Sequence, residues 1–158
     1  MINRMKTRNS LLVLFLLCST LCFAQDKLFE KYADKDNVTS VYISKSMFQM
    51  MPDNMRAGGL DLGNLKGKIH NLQILTSENK EVKEQMKADF DAVVGKDHEL
   101  LMKVKSDDTR ASFFVKQKGE KISELIMLTD DEEDYVVMRL TGDFTIQDIR
   151  QIAEEVEK

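Results

Sequence analysis

Cysteine is nearly absent from this chain of 158 residues: there are two, Cys18 and Cys22, and both fall within the first 24 positions. Those positions read as a secretory signal peptide, so a processed chain beginning at Gln25 holds no cysteine. Disulfides, thiol redox chemistry, cysteine nucleophiles and cysteine-based zinc sites are excluded together. A membrane-spanning run is also lacking, since the apolar stretch from Leu11 to Phe23 is well short of the roughly 20 residues that cross a bilayer. Basic residues are outnumbered by acids, 23 to 27. The leader carries Arg4, Lys6 and Arg8 and no acid, so its removal takes the formal charge from −4 to −7 and leaves 134 of the 158 residues. An acidic domain of this size disfavours sequence-independent nucleic-acid binding and adhesion to anionic lipid, both of which need clustered Lys and Arg.

The leader follows the usual order of a basic start, an apolar run and small residues before the cut. Cys22 and Ala24 occupy the third and first positions before it, which places cleavage between Ala24 and Gln25. Lipid attachment in bacteria requires a small residue ahead of the cysteine, whereas Leu17 precedes Cys18 and Leu21 precedes Cys22. The expected product is therefore free in the periplasm or medium, with residues 25–158 forming one domain, rather than tethered or inserted in a membrane.

Within that domain, Leu28, Phe29 and Tyr32 at helical spacing predict a helix over 26–36, stopped at Asp36-Asn37. Val38 to Ser44 alternates as a first strand, with Val41 and Ile43 on one face and Tyr42 on the other. Ser44 to Met55 returns to helical spacing, with Met47, Met50, Met51 and Met55 on one side, until Pro52 interrupts. Ala57 to Lys68 contains four glycines and predicts a loop with a helical turn near Leu62 to Leu65. Ile69 to Leu75 predicts a second strand, with Thr76 or Ser77 capping the next helix. That helix places Val82, Met86, Phe90 and Val93 or Val94 inward, with Gly95 closing it.

Beyond Gly95 the period becomes two. Leu100, Met102 and Val104 form one strand, and Ala111, Phe113 and Val115 the next, after a turn over 106–109. Gly119 turns the chain into Ile122 to Leu128, which is apolar on both faces and so reads as a central, doubly covered strand. The acidic turn 130–134 leads to a strand from Tyr135 to Thr141, ended by Gly142-Asp143. Thr145 then caps a terminal helix that presents Ile146, Ile149, Ile152, Ala153 and Val156 inward. The order implies an α+β fold: a single domain with a largely antiparallel sheet, a C-terminal four-strand meander, and helices packed on one face.

Chemistry is hard to place on this frame. His70 and His98 are the two histidines, and neither has ligand or triad spacing, so both read as surface or strand-edge residues. The four methionines 47, 50, 51 and 55 suit cuprous ion through soft thioethers, and equally suit core packing. Asp130 to Asp134 lacks the alternating ligands and glycine of a calcium loop and reads as a solvated turn. The run Gly67-Lys68 lacks the following Ser or Thr of a phosphate loop, and a strand follows it. No nucleophile elbow or acid/base pair is legible, and no catalytic residue or cofactor is assigned.

Phe29-Glu30-Lys31-Tyr32, Val38 to Phe48, Leu72 to Ser77, Ile122 to Met127 and Leu140-Thr141-Gly142 together resemble a secreted family known chiefly from Bacteroidetes, domain-of-unknown-function family 4252. The resemblance covers almost the whole processed chain. It implies no activity, cofactor or catalytic residue, and the family's frequent location near extracytoplasmic-function sigma factor genes is compatible with a role in envelope sensing. Three readings follow. The first is an exported non-catalytic module that binds an envelope protein or small ligand, the second a cuprous-ion binder using the methionine helix, and the third a hydrolase whose site is assembled only by the fold.

Overall fold

The computed structural model describes residues 22–52, 56–57 and 60–156. The basic start and apolar run of the leader, together with Met55 and Gly58-Gly59, lie outside the described residues. The elements in chain order are helix α1 (Cys22–Ala33), strand β1 (Thr39–Ser44), helix α2 (Lys45–Met50), a two-residue hairpin β2 (Arg56–Ala57) and β3 (Leu60–Asp61), and a 3-10 turn (Gly63–Leu65). There follow β4 (Ile69–Ser77), α3 (Lys80–Asp97), β5 (Glu99–Lys105), β6 (Arg110–Lys118), β7 (Lys121–Asp130), β8 (Tyr135–Thr145) and α4 (Ile146–Val156).

Six strands form one antiparallel sheet in the order β1-β4-β8-β7-β6-β5. The C-terminal meander is present as expected, and it returns the chain to β4, where Leu72 pairs with Leu140. Helix α3 makes the crossing from β4 to the far edge. Central strands β7 and β8 are buried on both sides, because Leu125, Met127, Met138 and Leu140 enter one core while Ile126, Leu128, Tyr135 and Val137 enter another. The two longest helices, α1 and α3, cover the second face through Phe29, Tyr32, Val82, Met86, Phe90 and Val94. The opposite face is covered too, by Phe48 of α2, Leu62, Leu65 and Ile149 of α4. Helices therefore lie on both sides of the sheet and not on one face as the element order implied, because a strand without a polar face must be covered twice.

Several boundaries moved for local reasons. Helix α1 begins at Cys22, four residues before Asp26, and ends ahead of Asn37, which takes the left-handed conformation at φ 63°. Strand β4 runs through Thr76 and Ser77, and the cap of α3 is Asn79, whose side chain accepts from the Val82 amide at 3.1 Å. Gly95 does not close α3, which continues to Asp97 with His98 at its C-terminal cap. Gly142-Asp143 does not end β8 either. Gly142 pairs with Ile69, and the strand reaches Thr145, which caps α4 by accepting from the Asp148 amide at 3.2 Å.

Gly142 is required by a close approach. A β-carbon there would lie 2.3 Å from the Lys68 carbonyl oxygen and 2.6 Å from the Phe144 ring. The same carbonyl accepts from the Asp143 amide at 3.0 Å, so it cannot easily retreat. Gly142→Ala is expected to cost about 1–3 kcal/mol through overpacking. Gly95→Ala, exposed in a helix with nothing near its added carbon, is expected to gain about 0.5–1 kcal/mol. Urea midpoints of the two variants check both signs.

Candidate functional site

Two features stand apart from ordinary core packing. One is a charge cluster buried beneath α1, and the other is the open sheet edge formed by β1 with α2.

The buried cluster is centred on Glu124. A strand bulge at Ser123 breaks the alternation of β7, so that Ile122 joins the α2/α4 side while Glu124 faces the α1/α3 side. There the carboxylate accepts from Gln25 Nε2 at 3.1 Å, meets His98 Nε2 at 2.8 Å, and is held by Arg139 Nε. Arg139 also donates to Asp26 at 2.7 Å and to Gln73 at 3.3 Å, and its guanidinium lies 5.2 Å from the Phe29 ring centre. The cluster thus joins α1, the end of α3, β4, β7 and β8. Burial pushes the Glu124 carboxyl up, but the His98 contact and the Arg139 charge outweigh it and hold the group below its usual range.

His98 is a correction to the sequence reading: it is a buried residue whose side chain has no exposed surface. Its Nδ1 has no protein partner among the described residues. His70 does lie at the surface, with Nε2 3.0 Å from Asp143. Glu124 and His98 are both buried, and Gln25 of α1 lies directly on the Glu124 carboxylate. The cluster acts as a latch for α1, assisted by a second tie in which Lys31 and Tyr32 donate to Asp89 of α3 at 2.7 and 2.8 Å.

The other sequence candidates separate in space. Helix α2 spans six residues, capped by Ser44, and buries Phe48 rather than a methionine face. Met47 and Met50 point outward, whereas Met51 packs against the core beyond the helix end. Lys68 is not free for phosphate, because it grips Asp148 at 2.7 and 2.8 Å. The acidic segment is a hairpin turn in which the Asp131 side chain accepts from the amides of Glu133 and Asp134, while Asp130 pairs with Lys83 and Lys87. Among the described residues no group of three or more His, Cys, Asp or Glu side chains is placed to hold a metal ion. Nor is any described helix long and apolar enough to cross a membrane.

The open edge has the contrasting character. The six residues of β1, Thr-Ser-Val-Tyr-Ile-Ser, carry no charge, and among the described residues no strand pairs with their outer side. Tyr42 is 63% exposed and Met50 75%, with Val41 and Met47 also exposed. At the opposite edge, β5 exposes Leu100, Leu101 and Val104 but carries Lys103 and Lys105 and a bulge between Leu100 and Met102. Lysines and bulges are the usual protection of a strand edge against unwanted pairing, and β1 has neither.

The latch generates a stability prediction. Glu124→Gln leaves Arg139 without its buried partner and is expected to cost about 3 kcal/mol. Glu124, Asp89, Asp130 and Asp148 are all held below the usual carboxylate range, so the unfolded chain takes up protons first as pH falls. Their contribution is complete above about pH 5 and is lost on acidification, opposed in part by Asp91 and Asp134, which burial raises. Urea unfolding at pH 7 and pH 3 should show lower stability in acid, with a shallower pH dependence in Glu124→Gln.

The family described as "Domain of unknown function (DUF4252)" matches over residues 32–152. No curated protein matches the chain. With most of its length covered by that match, the chain belongs to the DUF4252 family.

Proposed function

We propose that this family member is an exported, non-catalytic interaction module of the bacterial envelope whose recognition surface is the β1 edge with α2. The observation that carries the reading is the exposure of Val41 and Tyr42 on an uncharged strand whose outer edge has no partner among the described residues, with Met47 and Met50 of α2 exposed beside it. Open edges of this kind accept an extended segment by main-chain hydrogen bonding, with side-chain contacts supplying specificity. Exposed methionines add an adaptable apolar contact. A surface of this composition suits a protein partner, and a role in envelope sensing is compatible with it.

Export is part of the proposal, and the latch supports it. Cleavage between Ala24 and Gln25 would keep Gln25 and Asp26, the two α1 residues that hold Glu124 and Arg139. The charged centre of the fold would thus remain complete in a chain that has lost its leader. Loss of residues 1–24 from the exported product is read by intact mass.

The recognition surface is tested by capture from envelope extract followed by mass spectrometry, comparing the wild type with Tyr42→Lys. A reproducible partner retained by the wild type and depleted about tenfold by the variant is expected, since one well-packed aromatic commonly dominates an interface. Equal capture by both proteins would remove β1 as the surface, and no reproducible partner would remove the reading.

A further inference from the structure

The β1 edge restricts what can pair with it. We infer that its occupant is the β1 strand of a second copy of this chain, added antiparallel across a two-fold axis to make one sheet continuous through both molecules. The inference rests on the proposal that β1 with α2 is the recognition surface, and it names the partner.

Three properties of β1 set the requirement. Its outer main-chain groups need an extended segment rather than a helix, because a strand edge offers donors and acceptors at strand spacing. Its two faces differ: Val41 lies on the α2 side with Thr39 and Ile43, and on the α1 side Tyr42, opposite Gln73, stands between Ser40 and Ser44. A partner strand must therefore bring uncharged residues to both faces, with β-branched side chains beside Val41 and Ile43 and an aromatic or small polar side chain beside Tyr42. Among the described residues the other sheet edge, β5, fails this requirement, since Lys103 and Lys105 would carry charge into the pair. The segment Thr39 to Ser44 itself meets it, with Val41, Tyr42 and Ile43 in sequence.

Charge fixes the direction. The chain is acidic overall, so two copies repel at most approaches, but β1 is neutral along its whole length. It is preceded by Asp34-Lys35-Asp36 and followed by Lys45. Antiparallel pairing about a two-fold carries Lys45 of each copy toward the acidic approach of the other, whereas parallel pairing sets like ends together. An isologous contact of this kind also closes on itself, leaving β5 with its lysines as the outer edge of the assembly.

Sedimentation equilibrium of the full exported product from micromolar to sub-millimolar concentration tests the inference, together with hydrogen exchange across the same range. A concentration-dependent dimer is expected, with the amides of residues 39–44 becoming protected as it forms. Tyr42→Lys and Val41→Lys, which charge the strand on opposite faces, should be monomeric throughout while keeping the urea midpoint that the wild type shows at its lowest, monomeric concentration, and Leu100→Lys at the other edge should dimerise normally. If either β1 variant fails to fold, protection of residues 39–44 in the wild type decides. A wild type that stays monomeric throughout overturns the inference, as does a dimer that leaves 39–44 unprotected. A monomer that captures an envelope protein through Tyr42 overturns the second copy but keeps the interaction module. A dimer protected at 39–44 without any captured partner keeps the second copy and removes the wider role.

Discussion

A strand whose consecutive side chains are all apolar has no face it can turn to water. Leu125, Ile126, Met127 and Leu128 are such a run, and all four are buried. The rest of the architecture answers that constraint. Helices α1 and α3 close one side and α2, the Leu62 to Leu65 turn and α4 the other, while β6 and β8 flank the strand so that neither edge of it is open. The cost of this arrangement is that any charge on the same strand must be paired or excluded. Glu124, one residue before the run, is paired from three directions, and by this means a local demand in β7 extends to the docking of the first helix.

The sheet ends are organised by the opposite need. Away from β7 and β8 the strands become progressively more exposed, and at the two limits the chain adopts different solutions. At β5 it uses lysine and a bulge. At β1 it uses neither, and the short helix that follows turns Phe48 inward and leaves Met47 and Met50 outside. The buried charge cluster sits in the centre of the molecule and exposed apolar side chains lie at both margins, accompanied by strand lysines only at β5, which separates the residues that keep the fold from those available for contact.

Much of this could be read from sequence where a pattern is local. Val82, Met86, Phe90 and Val94 recur on one helical stripe and all four are buried in α3, and the doubly apolar run in β7 marked the sheet centre. What could not be read depends on register. Ile122 and Glu124 are two residues apart and would share a face in a regular strand, but the bulge at Ser123 sends them to opposite sides. His98, Glu124 and Arg139 lie 26 and 15 residues apart, so no short motif joins them. The available clue was physical: a lone acid beside a strand covered on both faces needs a cation, and Arg139 in the adjacent alternating strand could supply one. For α2, six residues gave a stripe without saying which side faces inward, and the aromatic ring won over the thioethers because it removes more apolar surface from water. Gly142 resembled a strand end because glycine commonly is one, yet it is there to admit the Lys68 carbonyl.

The seam between β4 and β8 has a consequence for the order in which the molecule is made. The two strands face each other from residues as far apart as Ser77 and Tyr135, or Ile69 and Gly142. A chain delivered from its N-terminus can pair β1 with β4 early and can begin the meander as each hairpin emerges, but it cannot join those two halves until β8 has arrived. Arg139 is delivered with that strand. The first helix therefore waits for nearly the last part of the chain before its charged anchor is complete, and until then the apolar side of β4 and the unprotected side of β1 are open together. Assembly of this fold is accordingly governed by a late, long-range closure, the kind of step that slows folding even where every local element is ready.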